Sequence, residues 1–147
     1  MIHTGNEDHG WQIMRAIDSQ FSAVTMKVIS RSENGELMGG VVYENWTGPN
    51  GSCLVHIAGF NKRWIDRDML YIMFDFPFRQ LDCYQAFCQV AGKNTDTLAF
   101  NKKIGWEEIV RLEHVFPDDD MILMRLKRED CRYLNVKPKN VHSNKGL

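Results

Sequence analysis

Two short apolar runs with one helix between them restrict this chain more than anything else in its sequence. CLVHIAGF, Cys53 to Phe60, follows the turn residues TGPNGS and reads as a buried strand, apolar on both faces. YQAFCQVAG, Tyr84 to Gly92, reads as a second strand. Between them Asp66 and Asp68 open a helical stretch that runs to about Asp75, where Pro77 is expected to stop it. Acids in a first turn complement the helix dipole, and proline cannot continue a helix. A strand, a helix and a strand in succession make the two strands parallel neighbours joined by a right-handed crossover.

The flanking segments read as antiparallel. Val24, Met26 and Val28 alternate with polar residues in AVTMKVIS, and LMGGVVYENW returns as the partner strand. Asn34-Gly35 joins them, because a type I′ turn needs positive φ at both central positions. Trp11, Met14, Ile17 and Phe21 recur at helical spacing, which predicts an amphipathic helix from about Asp8 to Phe21. NTDTLAFNKKIGW predicts another, capped by Asn94 and closed by Gly105 in the left-handed position. Trp106 to Lys127 reads as two strands around FPDDD. The expectation is an α+β domain over residues 1–135: a mixed, mostly antiparallel central sheet flanked by helices. VKPKNVHSNKGL, from Val136 to Leu147, is expected to be a loosely held tail.

Composition excludes more than it selects. The chain has 147 residues, and 18 basic against 19 acidic residues leave a net charge of −1, so no overall field favours nucleic acid or an anionic membrane. The longest apolar run, MLYIMF, is too short to span a bilayer, and the polar opening MIHTGNEDHG is no secretory signal. Cys53, Cys83, Cys88 and Cys131 form no CxxC pair. Free thiols in a reducing cytoplasm are expected, with no metal. Asp118, Asp119 and Asp120 read as a solvated hairpin tip, Trp64, Tyr71, Phe74 and Phe78 as core, and Cys88 as packing.

Three pieces in this order resemble the GNAT superfamily of N-acetyltransferases. SENGELMGGVVY is similar to that superfamily's second and third strands. CLVHIAGF followed by NKRWIDRDML stands where its fourth strand meets the cofactor-binding helix, and NTDTLAFNKKIGWEE is similar to its next helix. PFRQL, Gly105-Trp106 and the late DDDMILMRLKREDCRYL look like short members from bacteria and their phages. The likeness covers about Val24 to Tyr133. It implies a sheet splayed between its fourth and fifth strands, acetyl-CoA as co-substrate, and direct acetyl transfer to a primary amine in a ternary complex.

The resemblance also implies roles. The family's glycine-rich pyrophosphate turn is missing here; NKRWIDRDML stands in its place. Arg63 and Arg67 are the candidate phosphate partners, with Trp64, Ile65 and first-turn amides beside them; an ordinary capped helix with solvated arginines is the alternative. Ile57, Ala58 and Gly59 mark the strand whose backbone amide would polarise the thioester, with Gly59 permitting a bulge. Asn94 caps its helix and would also touch the pantetheine arm. Where many members carry a thiolate-stabilising Tyr, this chain has Asn101.

His56 is the candidate base, since imidazole titrates near neutral pH, and a core histidine is the alternative. Glu44 is the second candidate, and a solvated strand end explains it as well. Two other functions stay open: a CoA- or protein-binding module without chemistry, and a small regulatory protein that works through its surface. The acceptor, a small amine or a protein, is not readable, and a homodimer through the late strands is compatible with the pattern.

Overall fold

The computed structural model describes residues 1–139. Seven strands form a single sheet in the order β1-β2-β3-β4-β5-β7-β6. They are β1 (Ile2–Thr4), β2 (Lys27–Glu33), β3 (Glu36–Glu44), β4 (Ser52–Gly59), β5 (Gln85–Ala91), β6 (Glu107–Phe116) and β7 (Asp119–Lys127). The helices are α1 (Glu7–Ala16), α2 (Arg67–Asp75) and α3 (Thr95–Lys103). Every neighbouring pair is antiparallel except β4 with β5, the crossover pair. This is a mixed, open sheet flanked by helices.

The β4–β5 pair positions everything that follows. It holds only at Ser52↔Gln85, Cys53↔Ala86 and Leu54↔Phe87. Beyond Leu54, β4 remains registered with β3 as far as Gly39↔Gly59, while β5 follows β7 as far as Ala91↔Met121. The sheet therefore splays between its fourth and fifth strands.

The two faces are covered unequally. One face carries α2 and α3 over a core that includes Val41, Cys53, Val55, Cys88, Leu98 and Met124. On the other face α1 packs mainly across β2, β3 and β4, and its cluster of Ile13, Met14, Val28 and Val42 ends against Ala58. Gly40 lets α1 approach, because a Cβ there would meet Ile13 Cδ1 at 2.6 Å. The β2–β3 hairpin turns on Asn34 and Gly35 with φ of 52° and 78°, as the type I′ turn requires.

Several elements differ from expectation. β1 was not anticipated; three residues carry no period, and their place depends on pairing with β2 and on the Met1 amino group donating to the Ser32 carbonyl. α1 stops at Ala16 instead of Phe21, since Asp18 takes a positive φ, and Trp11 and Ile17 are exposed. β2 begins at Lys27, which leaves Val24 in solvent. α2 ends at Asp75 as expected, but Pro77 does not end the helical path. The helix passes into a wider turn, Phe76–Gln80, whose Leu81 N–H donates to the Phe76 carbonyl, and proline is tolerated in that first turn. Asp119 and Asp120 belong to β7, where they accept from the Lys93 backbone and from Arg111. The expected tail lies mostly outside the described residues, but Lys139 N–H donates to buried Asp68 at 2.6 Å.

Candidate active site

The parted strands leave a cleft of about 490 Å³. Ile57, Ala58 and Gly59 of β4 form one wall, and Asn94, Thr97 and Phe100 of α3 form the other. A second hollow of about 390 Å³ adjoins it, sharing Gly59, Trp64 and Phe100 and extending to Lys62 and Ile65.

The register decides which main-chain groups face the cleft. Phe60 N–H donates to the Met38 carbonyl, so the even-numbered residues of β4 bond to β3. Ladder alternation then turns the N–H and C=O groups of Ile57 and Gly59 the other way. On that side β5 has already departed. The β3–β4 register is unbroken, so Gly59 makes no bulge. Its glycine has a different cause. Trp64 packs over Gly39 and Gly59, and a Cβ on Gly59 would meet the indole Nε1 at 2.3 Å.

His56 lies on β4 two residues before Ala58, on the α1 side of the sheet. Its Nε2 is 3.4 Å from Glu44 Oε1, a contact without hydrogen-bond alignment. The two candidate bases are thus brought together, both largely buried, and Glu44 also accepts from Asn45 Nδ2 at 3.4 Å.

The other candidates divide. Asn94 caps α3, accepting from Thr97 N–H at 3.3 Å, and borders the cleft. Arg63 is turned outward, 74% exposed, and its Nη2 donates to Glu33 at 2.9 Å. Arg67 is exposed at the surface. Asn101 is only 1% exposed and points into the core, where its Nδ2 faces Cys88 Sγ at 3.5 Å and Met124 Sδ at 3.7 Å. A thiolate donor cannot be read from that position. On α3 Leu98 and Asn101 share the core-facing side, whereas Thr97 and Phe100 share the side on the cleft.

The N-terminus of α2 is already engaged. The Asp66 carboxylate accepts from Met69 N–H at 2.9 Å and pairs with Arg31 Nη1 at 2.6 Å. Partial burial pushes its pKa up, but the amides of Met69 and Asp68 and the Arg31 guanidinium outweigh this and hold it below the usual carboxylate value. A carboxylate sits where a phosphate would meet the helix dipole. Lys62, on the rim of the second hollow, is the nearer cation, and nothing in its sequence context marked it. The four cysteines are free and buried; burial pushes Cys88 up to about 12 and Cys131 up to about 11. No helix among the described residues is long and apolar enough to cross a membrane.

Such a splayed mixed sheet, with helices beside the gap, is the fold of the GNAT acetyltransferases. A chimera of the spermidine N-acetyltransferase SpeG of Vibrio cholerae and hSSAT is similar in structure at a TM-score of 0.69 and 14% identity, over 92% of this chain and 98% of that one. A protein assigned to the GNAT family of acetyltransferases from Desulfovibrio desulfuricans gives 0.65 and 17% identity, over 86% and 98%. The N-acetyltransferase PseH of Campylobacter jejuni gives 0.53 and 15%, over 71% and 69%. No family model and no curated protein matches the sequence.

Proposed function

We propose that this chain is an acetyl-CoA-dependent N-acetyltransferase, in which a primary amine attacks the thioester directly within a ternary complex. The carrying observation is the parting of β4 from β5 after Leu54, which turns the main-chain groups of Ile57 and Gly59 into a cleft. Their N–H groups are fixed donors for the thioester oxygen as negative charge builds on it. Phe100 and Trp64 give the pantetheine arm apolar walls, and Asn94 and Thr97 give it polar contacts. Because Asp66 fills the α2 terminus, the diphosphate lies outside it, towards Lys62. His56, on the strand that forms the wall but not itself lining the cleft, is the base of this reading and takes the amine proton through one water, with Glu44 beside its Nε2. α3 offers no tyrosine to the thiolate, and its one carboxyl side chain on the cleft, Asp96, stands in the first turn; the thiolate takes its proton from solvent. Residues 1–135 act as one domain, and four free thiols suit a cytoplasmic setting.

A thiol-release assay over a panel of amines tests this, with acetyl-CoA affinity measured by calorimetry. The expected result is turnover of at least one amine. His56→Ala is expected to lower kcat about 10²–10⁴-fold while the acetyl-CoA Kd stays within about twofold. Undiminished turnover in that variant removes His56 as the base, and no binding at millimolar acetyl-CoA removes the whole proposal. Binding without turnover selects a second reading, a CoA-binding module without chemistry, which the Asp66 carboxylate at the α2 terminus favours.

A further inference from the structure

Away from the cleft, two histidines and two serines meet in one cluster. His3 of β1 and His9 of α1 come together over β2, although their spacing in the sequence matches no metal motif. β1 runs antiparallel beside β2 and sets His3 opposite Ser30. Asn6 caps α1 by accepting from His9 N–H, which places His9 in the first turn, above the same strand. His3 Nε2 lies 2.6 Å from Ser32 Oγ, and His9 Nδ1 lies 2.7 Å from Ser30 Oγ. Ser30 is fully buried and Ser32 nearly so. The two rings stand edge to face, with centroids 5.0 Å apart.

Fastening the elements explains only part of this arrangement. One bond ties β1 to β2 and the other ties α1 to β2, but neither requires the two imidazoles to meet. Burial and the neighbouring His3 push the His9 pKa down, with Asp8 opposing them. The ring is therefore neutral at neutral pH. The second nitrogen of each ring, Nδ1 of His3 and Nε2 of His9, is bonded to no group among the described residues. Both rings are half-buried, so solvent reaches them.

A neutral imidazole with one nitrogen held by a hydrogen-bond partner and the other free is the form in which histidine ligates a metal ion. With metal–nitrogen bonds of about 2.0–2.1 Å, two imidazoles on one tetrahedral ion stand with centroids roughly 5 Å apart. These two rings already have that separation. The charges nearby are mixed. Glu7 and Asp8, exposed in the first turn of α1, favour a cation. The Met1 ammonium opposes one, but it donates to the Ser32 carbonyl at 2.7 Å, and Arg31 is paired with Asp66 at the start of α2. No group of three His, Cys, Asp or Glu side chains is placed to hold a metal among the described residues. Water must complete the shell, which limits the affinity. Two nitrogen ligands select Zn²⁺, Cu²⁺ or Ni²⁺ over Mg²⁺ and Ca²⁺.

We propose that His3 and His9 bind one divalent transition-metal ion, of which Zn²⁺ is the probe, at the junction of β1 and α1, with Ser32 and Ser30 orienting the rings. The ion ties the first strand to the first helix. The site is separate from the cleft, and the proposal does not rest on the transferase reading.

Calorimetric titration of the untagged full chain with zinc chloride at neutral pH tests it. One ion per chain is expected, with a micromolar Kd, and magnesium is expected to give no binding. His3→Ala and His9→Ala, checked for folding by circular dichroism, should each weaken zinc at least tenfold. Ser30→Ala should weaken it about tenfold, as loss of an orienting partner does. Buffer below the ordinary imidazole pKa should also weaken it at least tenfold, because protons compete for the same nitrogens. Ring-nitrogen NMR of the parent protein makes the test independent of how any variant folds: the His3 and His9 signals should shift together and saturate at one zinc per chain. No binding at millimolar zinc, undiminished binding in both alanine variants, or ring shifts that leave either His3 or His9 unmoved overturns the proposal.

Discussion

Replacing Gly59 by Ala adds one methyl group, and the structure says where it goes. The new Cβ would lie 2.3 Å from Trp64 Nε1, 2.8 Å from Cδ1 and 3.1 Å from Cε2. The indole is a rigid, buried ring, and its far side rests in the main core. It cannot swing away as a flexible chain end would. Overpacking of this kind costs about 1–3 kcal/mol. For a domain of this size that is roughly 3–10 °C in Tm. Thermal and urea unfolding of a double-mutant cycle isolates the cause. In a Trp64→Ala background, itself destabilised by about 3–5 kcal/mol, the clash is gone. Gly59→Ala should there become neutral, or stabilising by up to about 1 kcal/mol through the lost flexibility of glycine. The coupling energy is thus expected at about 1–3 kcal/mol. A full penalty that persists without the indole, or no penalty with it, refutes the claim that Gly59 exists to seat Trp64.

Other outcomes follow from the same geometry. The Asp66 pKa is held low in the folded state, so the stability it contributes is complete above the ordinary carboxylate value. It is lost as pH falls through the lowered value, below about pH 4. Asp66→Asn should flatten that part of a stability–pH profile, and salt should shrink the difference, since the carboxylate is partly exposed. Native protein at pH 8 should show almost no thiol reactive to an aromatic disulfide, because all four cysteines are buried; unfolding should release four. Rapid labelling of a native thiol would contradict the burial and would also compromise the thiol-release assay. Lys62→Glu should weaken acetyl-CoA about tenfold more than it weakens a pantetheine thioester without diphosphate, as measured by calorimetry; equal losses would place the diphosphate elsewhere.

Where the chain's local chemistry decides its structure, the sequence was readable. Asn34-Gly35 demanded a turn with two positive φ values and made one. Asn94 and Gly105 bounded α3 because a cap and a left-handed terminus are properties of single residues. The parallel pair followed from the order of strand, helix and strand. Long-range packing was not readable in the same way. β1 holds its place through β2, and the helical spacing of Ile17 and Phe21 continues past the point where Asp18 has already turned the backbone. At the candidate site the error was one of face. The resemblance pointed to Asn101, but a helix advances 100° per residue, and Phe100 is the neighbour that borders the cleft. Gly59 was marked as special for the wrong reason, since the indole that needs it is close in space and reaches it through the corner at Lys62–Trp64.

The central claim is that a nucleotide thioester lies in the gap between β4 and α3. Amide NMR of labelled protein titrated with acetyl-CoA tests it residue by residue. The amides of Ile57 and Gly59 should shift most, with Asn94 and Thr97 following, along one saturable curve. If millimolar acetyl-CoA leaves the β4 amides unmoved, or moves only residues outside the cleft, the gap is not the binding site and the transferase proposal fails with it.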